Sequence, residues 1–231
     1  MSGYQCDIAY NIALCHYKLK QLAPSLKHIA DIIEKGVREH PELGVGSNTD
    51  DVEVKTVGNT QVLRETALIE AFNLKSAIEF SMKNHAASRE ALIDMPPRNE
   101  EELDPVTLHN QALMNIEQDP STGFKKLNFL LSNPPFPPET FPNLILLYCK
   151  YEHFDLAADV LAENADLTYK CLTAEDFEFL ETFILYQSSK EEANAKFMAL
   201  GDNHIDILRK KTKSIQDARI ARDSKAITTA L

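Results

Sequence analysis

Tryptophan is absent from this 231-residue chain, and glycine occurs seven times. So little glycine argues against a β-rich fold, whose tight turns need residues tolerant of positive φ. Cys6, Cys15, Cys149 and Cys171 show no CxxC spacing, and a cytosolic compartment keeps thiols reduced, so they read as buried free thiols. The seven histidines never form HxxxH, and Cys149–His153 is the one histidine–cysteine pair spaced by three or four. A single such pair, with no second one beside it, is not a metal-ligand signature. Glycine-rich phosphate loops and the G-x-S-x-G elbow are missing as well, which removes the commonest nucleotide and hydrolase signatures. The carboxylate pairs Asp50-Asp51 and Glu191-Glu192 sit in solvated contexts. No apolar run approaches the length of a membrane span, and the first residues lack the segments of a signal peptide. The expectations are a soluble, intracellular protein with no enzymatic activity, cofactor, metal, small-molecule substrate or membrane insertion.

The formal charge is −11, which argues against nucleic acid and anionic lipid as partners of the surface overall. It is unevenly spread: residues 201–231 hold seven Lys/Arg against four Asp, and the first 200 residues carry −14.

What is present is apolar residue at helical spacing, within a chain that is 44% hydrophobic and able to bury a core. The clearest case is residues 141–161. Phe141, Leu144, Ile145 and Tyr148 fall at i, i+3, i+4 and i+7, one face of a helix, with Leu147 and Tyr151 beside them. So wide a face predicts neighbours on both sides. After a polar break at Glu152-His153, the residues Phe154, Ala157 and Leu161 take the aromatic, small and large positions of a tetratricopeptide hairpin.

The pattern recurs along the chain. A first hairpin spans residues 7–34, with Pro24 acceptable only in the first turn of its second helix. Residues 36–60 read as an inserted loop. A second hairpin covers residues 62–95, with Ala67, Phe72 and Ile78 in its first helix. A third starts at Pro105, and Pro134 to Pro138 form a stiff, extended spacer before the fourth. The fifth covers residues 173–200. Asp202 then caps a long polar helix over residues 203–228. The small residues at the predicted helix crossings are Ser25, Ser88, Gly123, Ala157 and Ala193, separated by 63, 35, 34 and 36 residues. A tetratricopeptide unit repeats about every 34 residues, and the one large gap contains the insert. Asn11, Asn73, Asn110 and Asn143 precede their crossing residues by 14, 15, 13 and 14. The predicted fold is all-α: a right-handed superhelix of degenerate tetratricopeptide hairpins over residues 1–200, followed by a long helix over residues 201–231. A bundle of unrelated hairpins is the alternative.

Longer strings carry a more specific signal. His40-Pro-Glu-Leu-Gly-Val-Gly, Glu70-Ala-Phe-Asn-Leu-Lys, Asp94-Met-Pro-Pro-Arg, the run from Glu101 to Asn115, Pro135-Phe-Pro-Pro-Glu-Thr-Phe and the run from Tyr148 to Ala165 closely resemble one family, the tetratricopeptide repeat protein 30 family. Its members form the all-repeat subunit of intraflagellar transport complex B. The likeness covers nearly the whole chain and fades at residues 46–60 and 185–214. Members are longer, which implies an internal fragment whose Met1 is not the natural start. The resemblance also implies a ciliary adaptor wrapping a proline-rich segment of another complex B subunit. Roles in anterograde transport, cilium assembly and tubulin polyglutamylation come with it.

The residues expected to bind peptide lie on the first helix of each hairpin, facing the concave side. They are Tyr10, Asn11, Leu14 and Tyr17, then Asn73, Asn110 and Met114, then Asn143, Leu147 and Tyr151. Amides satisfy a peptide's backbone groups and aromatics bury its apolar side chains. The competing reading is that each Asn joins neighbouring hairpins and that the tyrosines belong to the core. A second functional class, a co-chaperone type repeat clamping an acidic tail, needs cations in this row, and Tyr10, Leu14, Tyr17, Leu147 and Tyr151 supply none.

Overall fold

A computed structural model of the chain describes residues 5–43, 61–95, 103–222 and residue 225. The described residues contain helices and no strand, as the all-α expectation required. They divide into two compact units, residues 1–140 and residues 141–231.

The first unit contains α1 (Cys6–Lys18), α2 (Leu22–Glu39), α3 (Gln61–Glu65), α4 (Leu68–Ser81), α5 (His85–Ile93), α6 (Pro105–Asn115) and α7 (Pro120–Ser132). Three antiparallel pairs, α1/α2, α4/α5 and α6/α7, form hairpins, and the second helix of each pair packs on the first helix of the next. The first helices α1, α4 and α6 also touch in sequence. Each hairpin thus buries its apolar face on its neighbour, as units of a helical repeat do. α4 sits between two clusters. Its Leu68 and Phe72 join Leu43, Leu63, Leu92 and Met95, while its Ala71, Leu74 and Ile78 join Ala13, Ile29 and Ile32.

The second unit holds most of α8 (Thr140–Lys150), then α9 (Phe154–Glu163), α10 (Ala165–Cys171), α11 (Ala174–Ser188) and α12 (Lys190–Ile220). Phe141, Leu144, Ile145, Tyr148 and Cys149 of α8 are all buried. α9 packs on α10 and α11, and α11 on α12.

All five predicted crossing residues are buried: Ser25 in α2, Ser88 in α5, Gly123 in α7, Ala157 in α9 and Ala193 in α12. The reason for small size is visible at three of them. Ser25 Oγ donates to the Ala13 carbonyl at 2.7 Å and Ser88 Oγ to the Ser76 carbonyl at 2.9 Å, each reaching twelve residues back. A Cβ on Gly123 would lie 2.7 Å from Ile116 Cδ1.

Five residues before the crossing, Lys20, Lys83 and Glu152 adopt positive φ of 61, 67 and 63°. At each, the N–H bonds the carbonyl three residues back, and the next N–H reaches five residues back. These paired bonds are the Schellman closure of a helix, usually completed by glycine. Side-chain caps start four helices: Asn84 accepts from the Ala87 N–H, Asp104 from Val106 and Thr107, Asp119 from Thr122, and Thr173 from Asp176. Pro24 is the third residue of α2, where no intrahelical donor is lost.

Several boundaries differ from the sequence reading. α2 continues through Gly36 to Glu39 instead of yielding to a loop at residue 36. A Cβ there would meet Leu68 Cδ2 at 2.8 Å, so this glycine permits close helix packing and does not break the helix. Residues 44–60, the rest of the expected insert, lie outside the described residues. Ala67 is not in the first helix of its hairpin; it is left-handed, with φ 53°, between α3 and α4. The proline run is bent over residues 133–135 and closes in a turn, the Thr140 N–H donating to the Pro137 carbonyl at 2.9 Å, so it is not a simply extended spacer. α10 was not anticipated. The expected helix break at Gly201-Asp202 is absent too, because α12 runs unbroken from Lys190 to Ile220. A Cβ on Gly201 would meet nothing within 4 Å, and a solvated glycine weakens a helix without ending it.

Candidate protein-interaction surface

Within the first unit, the residues singled out on α1 lean on the core. Tyr10, Leu14 and Tyr17 are half-buried against the cluster of Ala13, Ile29, Ile32 and Ile78, while Asn11 is exposed. Burial, and then the nearby Glu70 charge, raise the Tyr10 phenol above its ordinary pKa, so it presents a neutral hydroxyl. The Lys20 ammonium lies 5.9 Å from the centre of the Tyr17 ring.

Between α4 and α6 the amides form a connected polar chain. Asn73 is buried, and its Nδ2 donates to the Ile69 carbonyl at 3.0 Å and to Thr107 Oγ1 at 2.8 Å. Asn110 Nδ2 donates to Asn73 Oδ1 at 2.7 Å. Thr107 is itself held by the Asp104 carboxylate that caps α6. The chain therefore joins successive hairpins, and Asn110, half-buried, is its outer member. A network satisfied in this way is rigid, and losing one member strands the others. Met114 packs on the cluster of Phe72, Leu92 and Met95, and its sulfur lies 3.2 Å from Ser88 Oγ. Behind this row His109 is buried, its Nδ1 3.0 Å from Thr140 Oγ1. Desolvation lowers its pKa against the opposing pull of Glu139, which keeps the ring neutral.

In the second unit Asn143, Leu147 and Tyr151 are spaced by four along α8 and the turn after it, and all three are half-buried. The Lys150 ammonium stands 5.8 Å from the centre of the Tyr151 ring. Cys149 is buried and its thiol pKa is raised by desolvation, which makes it inert. Among the described residues, no group of three His, Cys, Asp or Glu is placed to hold a metal ion, and no helix is long and apolar enough to cross a membrane.

The structure thus brings Asn73 and Asn110 together directly, sets Tyr10, Leu14 and Tyr17 on one core cluster, and aligns Asn143, Leu147 and Tyr151 on one face. Sequence reasoning overlooked Thr107 and Thr140, both fully buried hydroxyls of this site. The Asp104-Pro105-Val106-Thr107 cap signature was the available sign for the first.

Comparison with known proteins now adds identity to this geometry. Residues 140–231 match the model of the intraflagellar transport protein 70 C-terminal domain. Along 99% of its length the chain is 63% identical to intraflagellar transport protein 70A of Xenopus tropicalis, and along 100% it is 60% identical to intraflagellar transport protein 70B of Homo sapiens. At 63% identity over 97% of the chain, the 70A protein of Danio rerio is similar as well. In each case the chain spans 35% of the relative's own length. The chain belongs, over that span, to the intraflagellar transport protein 70 family, which is the tetratricopeptide repeat protein 30 family of the sequence resemblance.

Proposed function

We propose that this chain is a non-enzymatic, protein-binding section of an intraflagellar transport scaffold that works in the cilium. Its ligand is an extended, proline-rich segment of another complex B subunit, contacted by the Tyr10 to Met114 residues of the first unit and by Asn143, Leu147 and Tyr151 of the second. The wider roles that follow are anterograde transport, cilium assembly and delivery of tubulin polyglutamylation activity. One observation carries the binding reading. The Asn73–Asn110 pair presents one half-buried amide, that of Asn110, held by buried Asn73, which Thr107 and the Ile69 carbonyl fix in turn. Such an amide is preorganised to meet a peptide's backbone groups without losing side-chain entropy on binding. The half-buried Tyr10, Leu14 and Tyr17 offer apolar surface suited to proline rings, which are already stiff in the extended state.

The test is titration of the chain with a proline-rich peptide and with an acidic tail peptide, at low and high salt. The proline-rich peptide should bind with little salt dependence, and the acidic one should not bind. Asn110→Ala should weaken the first by about tenfold, the loss expected for one well-placed hydrogen-bonding group, whereas Asn203→Ala, exposed on α12 and not a member of the row, should leave it near the parent. Tight, salt-sensitive capture of the acidic peptide would replace this reading with the co-chaperone one.

A further inference from the structure

α10 is a short helix between the α9 and α11 helices, and a groove lies beside it. Its walls are the end of α9, α10 itself and the start of α11, around an empty space of about 590 Å³. Leu161, Leu172 and Phe177 line it, with the small side chains Ala162, Ala165 and Ala174 between them. Tyr169 stands at the rim with 87% of its surface exposed. An aromatic ring left that open beside apolar lining is costly in water unless something covers it.

The charge around the groove says what kind of molecule that is. Residues 154–188 contain eight Asp or Glu and one lysine, Lys170. That stretch carries −7 of the chain's −11, and all eight carboxylates are exposed. Glu178 and Glu181 line the groove directly, and Lys196 lies 3.5 Å from Glu181. The acidic field extends over three helices, farther than a small ligand reaches. The walls are helical, so their backbone groups are already paired internally and offer no edge to an extended strand. An occupant must satisfy its own backbone, which a helix does.

We infer that the α9–α10–α11 groove docks an amphipathic helix of a partner protein, with an apolar face seated on Leu161, Leu172, Phe177 and Tyr169 and lysines or arginines meeting the acidic rim. Opposite charge raises the encounter rate and orients the helix, while the apolar contact supplies most of the affinity. This groove shares no residue with the peptide row, and it does not depend on the proline-rich reading.

The experiment uses the 231-residue chain and two synthetic helical peptides that share leucines at i, i+3, i+4 and i+7. One carries flanking lysines, its twin flanking glutamates. The lysine peptide should bind, more weakly as salt rises, and the glutamate twin should not. Ala162→Phe fills the groove from an exposed position, and should weaken the lysine peptide by about tenfold or more with the melting temperature unchanged. Glu178→Lys should weaken it and flatten the salt dependence, whereas Glu191→Lys, on α12 outside the groove, should do neither. A proline-rich peptide titrated into Ala162→Phe should bind as to the parent. Equal binding of both helical peptides, or an unaltered affinity in Ala162→Phe, overturns the proposal. So does sedimentation showing self-association that Ala162→Phe abolishes, since the occupant is then a second copy.

Discussion

α4 buries seven of its fourteen residues, whereas α12 buries two of its thirty-one. Apolar residues of α4 point into two separate clusters at once, and the one amide among them, Asn73, is fully occupied. Such a helix exists because its surroundings do: tertiary burial supplies nearly all of its stability. α12 is anchored at Ala193 near its start and at Ala218 near its end, and residues 201–214 between them are exposed throughout. That middle stretch persists through its own backbone bonds and the helix propensity of its Lys, Arg and Leu residues. The two helices therefore differ in what can break them: loss of packing for α4, loss of local helix strength for α12.

The largest effect is expected from truncation inside α4. Phe72 is 2% exposed between the α3, α4 and α5 side chains, and Phe72→Ala should destabilise the chain by about 3–5 kcal/mol. Leu208→Ala in α12, at a side chain 63% exposed, should change stability by less than about 0.5 kcal/mol. Denaturant unfolding of the two variants checks the contrast, and similar losses would show that α12 is packed more tightly than its exposure indicates.

The next effect concerns the fully buried anchor of α12. Ala193 is fully buried at its crossing with α11, so Ala193→Leu should cost about 1–3 kcal/mol by overpacking. Ala195→Leu, two residues on and exposed, is the matched control and should melt like the parent.

A third measurement separates the regions by pH. His109 is buried and its folded pKa is lowered by desolvation, while His204 in α12 is exposed. The unfolded chain then binds a proton that the folded chain resists, so this stability is fully present above about pH 6.5 and declines as pH falls below it. Melting temperatures followed from about pH 7.5 down to pH 5.5 should drop less in His109→Gln than in the parent. Asn203→Gln, an exposed and non-titrating position of α12, should follow the parent curve.

The smallest effect is a gain. Gly201 lies in the exposed middle of α12 with open space where a Cβ would go. Gly201→Ala should stabilise by about 0.5–1 kcal/mol, read by the same unfolding experiment. A loss instead would mean that the glycine is approached closely by another part of the molecule.

The repeat was legible because its signal is local and steric. Wherever two helices of a hairpin cross, the backbone approach excludes a large side chain, so Ser25, Ser88, Gly123, Ala157 and Ala193 mark the crossings without any knowledge of the rest. The cap residues Asp104 and Thr173 are legible on similar grounds. Other features were not. Gly36 and Gly201 look alike in sequence as helix breakers, yet one lies under Leu68 and the other faces open space. Lys20, Lys83 and Glu152 carry a backbone conformation usually signalled by glycine, and no side-chain pattern announces it. Of the candidate peptide row, periodicity could place Asn73 and Asn110 on first helices, but it could not say that they bond to each other through space.

By itself, then, the sequence determined the helical class, the hairpin period and the crossing residues, because those depend on contacts within about 34 residues of chain. Only the tertiary structure decided that Asn73, Asn110 and Thr107 share one polar chain, that α12 continues through Gly201, and that an acidic-rimmed groove lies beside α10. The physical reason is that these outcomes turn on burial, on packing partners and on space left unfilled between elements. None of these is a property of any residue's neighbours along the chain.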